Sequence, residues 1–237
     1  NHAAHCIQPA CEPLATLQQS FHDTALPSNR AGKDDYYNIC FTSGTTDRPK
    51  GLVTRQRAFA QVVKNYIEDV EFDSSDVFGL QSDMAYIGTI DMIAAIAVGG
   101  RAELMEKDLI FDGDRWAAEI EAKDITTIQD VPAALQFALQ TMREETGFPK
   151  SLRRFLSTGD QLLRRDWEML QAKQPPEYFR LIDVYAMSEY YHCIIGVIKD
   201  AASTGVFWLP QNRGRFTPLN DGTEDGVLEV DPGPAFD

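Results

Sequence analysis

The chain has 237 residues, 43% of them hydrophobic and 24% charged, which is enough apolar surface for a packed core and too balanced a composition for disorder. Its formal net charge of -14 argues against nucleic acid and anionic membranes as partners, because both carry the same sign. No run approaches the roughly 18 to 20 apolar residues of a spanning helix, and no charged start with an apolar core marks a signal peptide, so a cytoplasmic location is expected.

Cysteines at positions 6, 11, 40 and 193 show neither zinc-type spacing nor a disulfide framework. Residues 1–34 read as a lead-in, with a short helical stretch over 13–22 and a turn-rich linker over 27–32. The apolar run Tyr37-Asn38-Ile39-Cys40-Phe41 then breaks into Thr42-Ser43-Gly44-Thr45-Thr46-Asp47-Arg48-Pro49-Lys50-Gly51. This pattern predicts a buried strand that delivers a donor-rich loop to the edge of a sheet. Ser43, Thr45 and Thr46 offer hydroxyl donors, Gly44 and Gly51 let backbone amides approach an anion, and Lys50 adds a mobile charge, a set that suits a polyphosphate. It is not a P-loop of the Gly-Lys-Ser/Thr type, since Pro49 precedes Lys50 and removes an amide donor.

After this loop, Phe59, Val62, Val63, Tyr66, Ile67 and Val70 recur at helical spacing, predicting a helix over 54–70 capped by Thr54. A short strand over 77–80 and a buried helix over 86–98, stopped at Gly99-Gly100, come next. The alternation continues with a strand over 102–105, a helix over 114–122 capped by Asp114, a strand over 125–128 and a helix over 132–145 opened by Pro132. A strand over 154–157 ends at Thr158-Gly159-Asp160, and a helix over 161–172 and a strand over 180–185 complete the series. Beyond His192 helical periodicity fades, glycine recurs and Val227-Leu228-Glu229-Val230 alternates, so this end is expected to be β-rich. The chain thus divides into a lead-in (1–34), an α/β core with a largely parallel sheet flanked by helices (35–190), and a β-rich segment (191–237). Ligands of such sheets sit at the carboxyl ends of strands, and the loops at 42–50, 158–160 and 186–189 each follow an expected strand.

The last of these belongs to Asp183-Val184-Tyr185-Ala186-Met187-Ser188-Glu189. An aromatic face stacks on a purine, a hydroxyl donates to a phosphate, and a carboxylate holds magnesium, which prefers oxygen ligands.

Taken in order, Phe-Thr-Ser-Gly-Thr-Thr-Asp-Arg-Pro-Lys-Gly from Phe41 resembles the phosphate-loop signature of the adenylate-forming superfamily, which includes acyl-CoA synthetases, luciferases and nonribosomal peptide synthetase adenylation domains. The 183–189 segment is similar to that family's strand-end motif, and Ser157-Thr158-Gly159-Asp160 falls where the family carries its adenine-facing turn. Val227-Leu228-Glu229-Val230 with Gly233 resembles a Gly-Glu-Leu strand near the end of the family's main body. Two positions depart from the pattern, with Asp47 and Ala186 standing where glycine is usual.

The resemblance implies ATP and Mg2+ as cofactors. It places Thr42, Ser43, Gly44, Thr45, Thr46 and Lys50 around the triphosphate, and Gly159, Asp160, Asp183 and Tyr185 around adenine, with Asp183 accepting from the exocyclic amine. Ser188 then meets the α-phosphate and Glu189 ligates magnesium, so that Lys50, Ser188 and Glu189 are the catalytic set. The implied reaction activates a carboxylic acid as an acyl-adenylate and passes the acyl group to CoA or to the phosphopantetheine arm of a carrier protein. A peptide-synthetase adenylation domain is favoured over a free-standing acyl-CoA ligase, and Asp47 and Ala186 leave an inactive scaffold as the alternative. The match spans roughly half of a usual enzyme, so the remainder of a multidomain chain is an expected partner. In amino-acid-activating relatives an aspartate pairs with the substrate ammonium; counting back from Gly100 puts Ile87 there, with Asp83 one turn earlier. Tyr86, Ile87, Ile90 and Met187 then line an apolar pocket suited to an acid without an α-ammonium group, whereas Asp83 would favour an amino acid.

Overall fold

The computed structural model describes residues 30–42, 50–82, 89–186, 194–200, 214–218 and 226–230. The chain divides between Gly32 and Lys33 into two compact units, and every element below belongs to the second. The helix expected over 13–22 lies outside the described residues.

β1 (Tyr36–Thr42) and β2 (Lys50–Arg55) form an antiparallel two-stranded sheet in which Cys40 faces Leu52 and Thr42 faces Lys50. The expected buried strand is therefore half of a hairpin. Ile39, Phe41 and Val53 share its outer face and are all exposed, while Tyr37 on the opposite side stacks on Phe59 of the following helix at 3.7 Å. That helix, α1 (Gln56–Val70), starts later than expected, because Thr54 is spent on β2 and cannot cap it. Its first amides find backbone partners instead: Gln56 donates to the Asp35 carbonyl and Arg57 to that of Lys33, each at 2.9 Å, which explains a start with no side-chain cap.

The main sheet follows, built from β3 (Val77–Leu80), α2 (Thr89–Ala97), β4 (Arg101–Leu104), a 3-10 turn (Lys107–Phe111), α3 (Gly113–Ala122), β5 (Thr127–Asp130), α4 (Pro132–Thr141), β6 (Arg154–Thr158), α5 (Arg164–Ala172), β7 (Arg180–Tyr185) and β8 (Ile194–Ile198). The six strands lie in the order β4-β3-β5-β6-β7-β8, parallel throughout except for β8. β8 falls in the stretch expected to form a separate β-rich end, yet it joins the main sheet through its pairing with β7. Beyond it, β9 (Gly214–Pro218) and β10 (Gly226–Val230) pair antiparallel, with Glu229 opposite Arg215. Among the described residues no helix is long and apolar enough to cross a membrane.

Alternation along the strands builds two apolar layers. Val77, Ile128, Phe155 and Leu181 point to one face, where Trp116, Ile120, Leu135, Leu139 and Leu170 from α3, α4 and α5 cover them. Phe78, Leu80, Leu156, Ile182 and Val184 point to the other, under Phe59, Val62, Tyr66 and Ala94 from α1 and α2.

Local chemistry moves several boundaries. α3 is capped by Asp112, whose carboxylate accepts from the Arg115 amide at 3.2 Å, and not by Asp114. Asp114 accepts from the Thr146 hydroxyl, the Arg143 amide and the Arg143 guanidinium, with the Thr146 contact leading the set that holds its carboxyl down near 2. That use of the Arg143 amide ends α4 at Thr141, four residues short of the expected 145, since a continuing helix would need the same N–H for its own ladder. β5 begins at Thr127 instead of 125, because the Ile125 amide closes the turn after α3 on the Ile120 carbonyl. α5 begins at Arg164 instead of 161, where the Leu163 amide donates to Asp166 at 2.8 Å.

Replacing Asp112 with alanine is expected to cost about 1 kcal/mol of stability. A urea unfolding curve reads this as a lower midpoint with unchanged slope, and an unmoved midpoint would remove the cap assignment.

Two further features organise the ends of the sheet. At its amino edge Asp76 is buried, and its Oδ1 accepts from Arg154 at 2.6 Å, from the Thr126 hydroxyl at 2.8 Å and from Arg153 at 3.2 Å. Arg154 also donates to the Glu71 carbonyl at 2.8 Å, fastening the end of α1 to β6. At the outer strand, Lys123 donates to the Leu104 carbonyl at 2.9 Å and Arg101 donates to the Lys123 carbonyl at 2.7 Å, so two cations lie along β4.

Candidate nucleotide site

β6 and β7 are parallel neighbours, with Ser157 opposite Asp183 and Thr158 opposite Val184. At their carboxyl ends the chain turns away at Gly159, whose φ of +86° is open to glycine but strained for other residues, and at Ala186. Between them lies a cleft of about 330 Å³ lined by residues 159–161 and 183–186. The pleat decides which side chains face it. Ile182 and Val184 point into the apolar layer under α1 and α2, so Asp183 and Tyr185 share the opposite face. Tyr185 is 45% exposed and lines the cleft. Asp183 is 3% exposed; burial pushes its carboxyl up to about 6, with the Val184 amide opposing.

Asp183 belongs to a polar row across the sheet. In register on the same face stand Asp130 on β5, Ser157 on β6 and Gly196 on β8. Asp130 is engaged from both sides: Gln81 donates to its Oδ2 at 3.0 Å and the Val131 amide to its Oδ1 at 2.7 Å, while burial pushes its carboxyl up. Gln81 in turn accepts from the Trp116 indole at 3.1 Å. This chain of bonds bridges the carboxyl ends of β3 and β5, where the chain passes from β3 out to β4 and then back across to β5 on the other side, the position at which open α/β sheets form their crevice. Sequence reasoning missed Gln81, Asp130 and the place of Ser157 in the row, because register across strands is not written in any one segment.

Gly159, Asp160, Asp183 and Tyr185, the residues expected around adenine, fall along this one cleft. Of the triphosphate residues, Thr42 and Lys50 close the hairpin opposite one another, while Ser43, Gly44, Thr45 and Thr46 lie outside the described residues, as do Asp47, Ser188 and Glu189. β1 is not a strand of the parallel sheet, so the 42–50 loop does not leave that sheet's carboxyl edge as expected. Asp83, Tyr86, Ile87 and Met187 also lie outside the described residues; Ile90 is buried in the layer between α2 and the sheet. Among the described residues no cluster of histidine, cysteine or carboxylate groups is placed to hold a metal ion.

One buried acid was not singled out by sequence. Asp91 on α2 is fully buried and faces the Tyr66 hydroxyl of α1; burial pushes its carboxyl up to about 8, with Tyr66 opposing, and the tyrosine itself is raised by burial and then by Asp91.

Helices on both faces of a mostly parallel sheet, with a cleft at the strand ends lined by Tyr185 and Asp183, define an open-sheet α/β domain. The same fold recurs in solved structures. The N-terminal domain of FACL13 from Mycobacterium tuberculosis superposes with a TM-score of 0.71 at 21% identity, covering 91% of this chain and 53% of that one. The AMPPNP-bound form of the nonribosomal peptide synthetase FmoA3 gives 0.66 at 17% identity, covering 80% and 20%. The chain belongs to the AMP-binding enzyme family, whose model matches residues 4–215, and so to the adenylate-forming superfamily. Curated relatives include the phenyloxazoline synthase MbtB of Mycobacterium tuberculosis, 27% identical over 187 residues, and the D-alanine--D-alanyl carrier protein ligase of Bacillus mycoides, 23% identical over 141. The aligned parts cover 77% and 59% of this chain but only 13% and 28% of those proteins, so the chain spans a minor part of either.

Proposed function

We propose that this chain is the nucleotide- and acid-binding core of a carboxylate–AMP ligase that uses ATP to activate a small carboxylic acid and passes the acyl group to a thiol. The observation that carries the reading is the cleft at the β6 and β7 ends, which Tyr185 lines together with Asp183, a buried acceptor, within a family defined by AMP binding. A carboxylate oxygen attacks the α-phosphorus, the bond to the departing pyrophosphate breaks, and the acyl-adenylate remains for thiol attack. The work of this chain is positioning and charge: the cleft fixes the base, while Lys50 and the donors of residues 42–46 neutralise the pyrophosphate as it leaves. Ser188 would meet the α-phosphate. Glu189 would hold the magnesium ion, which when bound supplies further neutralisation of the triphosphate.

A carrier-protein phosphopantetheine thiol is the preferred acceptor over CoA, because the curated relatives include a carrier protein ligase. The acid is one without an α-ammonium group, received by Tyr86, Ile87 and Met187, while Ile90, expected among them, is packed into the layer under α2; Asp83 is the position that would reverse this choice. The site of action is the cytoplasm, where ATP is supplied. Asp47, a carboxylate within the phosphate loop, supports a second reading in which the fold is kept as an inactive scaffold.

Acid-dependent ATP–pyrophosphate exchange by the intact protein tests both readings, and its absence over a broad panel of acids would leave only the scaffold. Replacing Lys50 with alanine is expected to weaken magnesium-ATP binding by about tenfold or more, in line with the loss of one charge-assisted contact. Calorimetric titration alongside a melting curve checks this: unchanged affinity in a normally folded variant would take Lys50 out of the site.

A further inference from the structure

Other acids set into the fold are met by partners: Asp76 by Arg154 and Thr126, Asp130 by Gln81 and the Val131 amide, Asp166 by Gln136 and the Leu163 amide. Asp91 is not. It is fully out of water, and no hydrogen bond closes on either of its carboxyl oxygens. The groups that bear on it are the Tyr66 hydroxyl and its own amide, and among the described residues no cation does. The hydroxyl of Thr158, 3% exposed, is likewise without a hydrogen bond. These two groups belong to one region. α2 follows β3, so its first turn, which holds Asp91, lies at the carboxyl side of the sheet. Thr158 is the last residue of β6, and by alternation with Leu156 it points into the layer under α1 and α2 in which Ile90 also packs. Because Thr158 directly precedes Gly159 of the cleft wall, this polar corner adjoins the cleft on the other face of β6 from Ser157 and Asp183.

A buried polar group left unmet is costly, and one that a ligand completes contributes to selecting that ligand. We propose that Asp91 and Thr158 recognise the acid substrate, and that this acid carries a hydroxyl or amino group remote from its carboxylate. The inference rests on the carboxylate–AMP ligase reading above and adds the class of acid to it. Whether or not the Asp91 carboxyl holds a proton, at least one of its oxygens carries no hydrogen and calls for a donor. A hydroxyl or amino group supplies that donor, and the Thr158 hydroxyl meets the same group from the side of β6. A methyl or ether group supplies none, and it leaves the carboxyl oxygen desolvated and unmet when the acid is bound. Sites built around a buried hydrogen bond reject such analogues strongly.

The test is ATP–pyrophosphate exchange by the intact protein at limiting acid. Benzoate is compared with its meta- and para-hydroxy, amino and methoxy derivatives, and hexanoate with its ω-hydroxy, ω-amino and ω-methoxy derivatives. The best hydroxy or amino acid is expected to exceed both its parent and its methoxy analogue by about tenfold or more in kcat/KM. Asp91→Leu keeps the bulk and removes the acceptor, and is expected to abolish this preference while leaving the KM for ATP unchanged. Thr158→Val is expected to reduce it. Parents exchanged as fast as all of their derivatives by the unaltered protein overturn the inference and leave the ligase reading standing. A preference that survives in both variants overturns it as well. Absence of exchange with every acid overturns the ligase reading and the inference together. Should Asp91→Leu not melt cooperatively, Thr158→Val and the acid panel on the unaltered protein decide.

Discussion

Replacing Asp76 with alanine is expected to lower the unfolding free energy by about 3–5 kcal/mol, enough to consume much of the margin of a typical domain. The size follows from what is left behind. Arg154 is only 7% exposed, and one oxygen of Asp76 balances it together with Arg153 and the Thr126 hydroxyl; without that carboxylate a guanidinium stays buried with only neutral acceptors, the Thr127 hydroxyl and the Glu71 carbonyl. The damage spreads beyond one pair, since Arg154 and Thr126, which bond this carboxylate, also bond the Glu71 carbonyl after α1 and the Val77 amide of β3. Arg101→Ala is the control: its ion pairs with Glu103 and Asp124 lie at the surface, and a loss below about 1 kcal/mol is expected there. Equal losses for the two variants in denaturant titrations would show that the buried cluster has no special weight.

The second large effect concerns pH. In the folded chain Asp91 keeps its proton up to about 8, whereas the unfolded chain releases it near 3.8, so between these values the native state binds more protons than the unfolded one. Stability therefore declines as pH rises through this window, by up to about 1.4 kcal/mol per unit from this group alone. Asp91→Asn removes the titration while keeping the shape of the side chain. The variant is expected to gain on the unaltered protein steadily between about pH 5 and about pH 8, by several kcal/mol in total. Asp183 pulls in the same direction and Asp114 in the opposite one at low pH, but both are common to the two proteins and drop out of the difference. Parallel stability curves would mean that Asp91 is already ionised inside the fold.

What could be read in the sequence was whatever a single segment expresses by itself. The strands at Val77–Leu80 and Arg180–Tyr185 have the expected limits, because apolar runs bounded by turn residues leave little freedom, and Pro132 marks the start of α4 for the same local reason. The hairpin was not legible. Its second strand, Lys50–Arg55, merges without a break into the periodicity of α1, and its outer face stays exposed, so nothing in the apolar pattern sets it apart. The cap of α3 and the end of α4 were decided by long-range bonds from Asp114 to Arg143 and Thr146 that no helical pattern carries. For the site, the motif residues Gly159, Asp160, Asp183 and Tyr185 could be named in advance. The Gln81, Asp130 and Ser157 row appears only once strands are set side by side, and Asp91 reads in isolation as one acid in an apolar helix.

The two cations along β4 bear on how this protein behaves when crowded with copies of itself. An outermost strand with free carbonyls and amides is a template on which a second chain can crystallise its own backbone, and long-lived fibrous assemblies grow from such templates. Here the final carbonyl of β4 is already taken by Lys123, and the Arg101 guanidinium at the start of the strand is bonded to the Lys123 carbonyl, so an approaching strand would have to displace an ammonium and cover a second positive group. β4 is also only four residues long, too short for a stable added pairing. The chain can therefore keep an extended parallel sheet while this border remains closed to further strands.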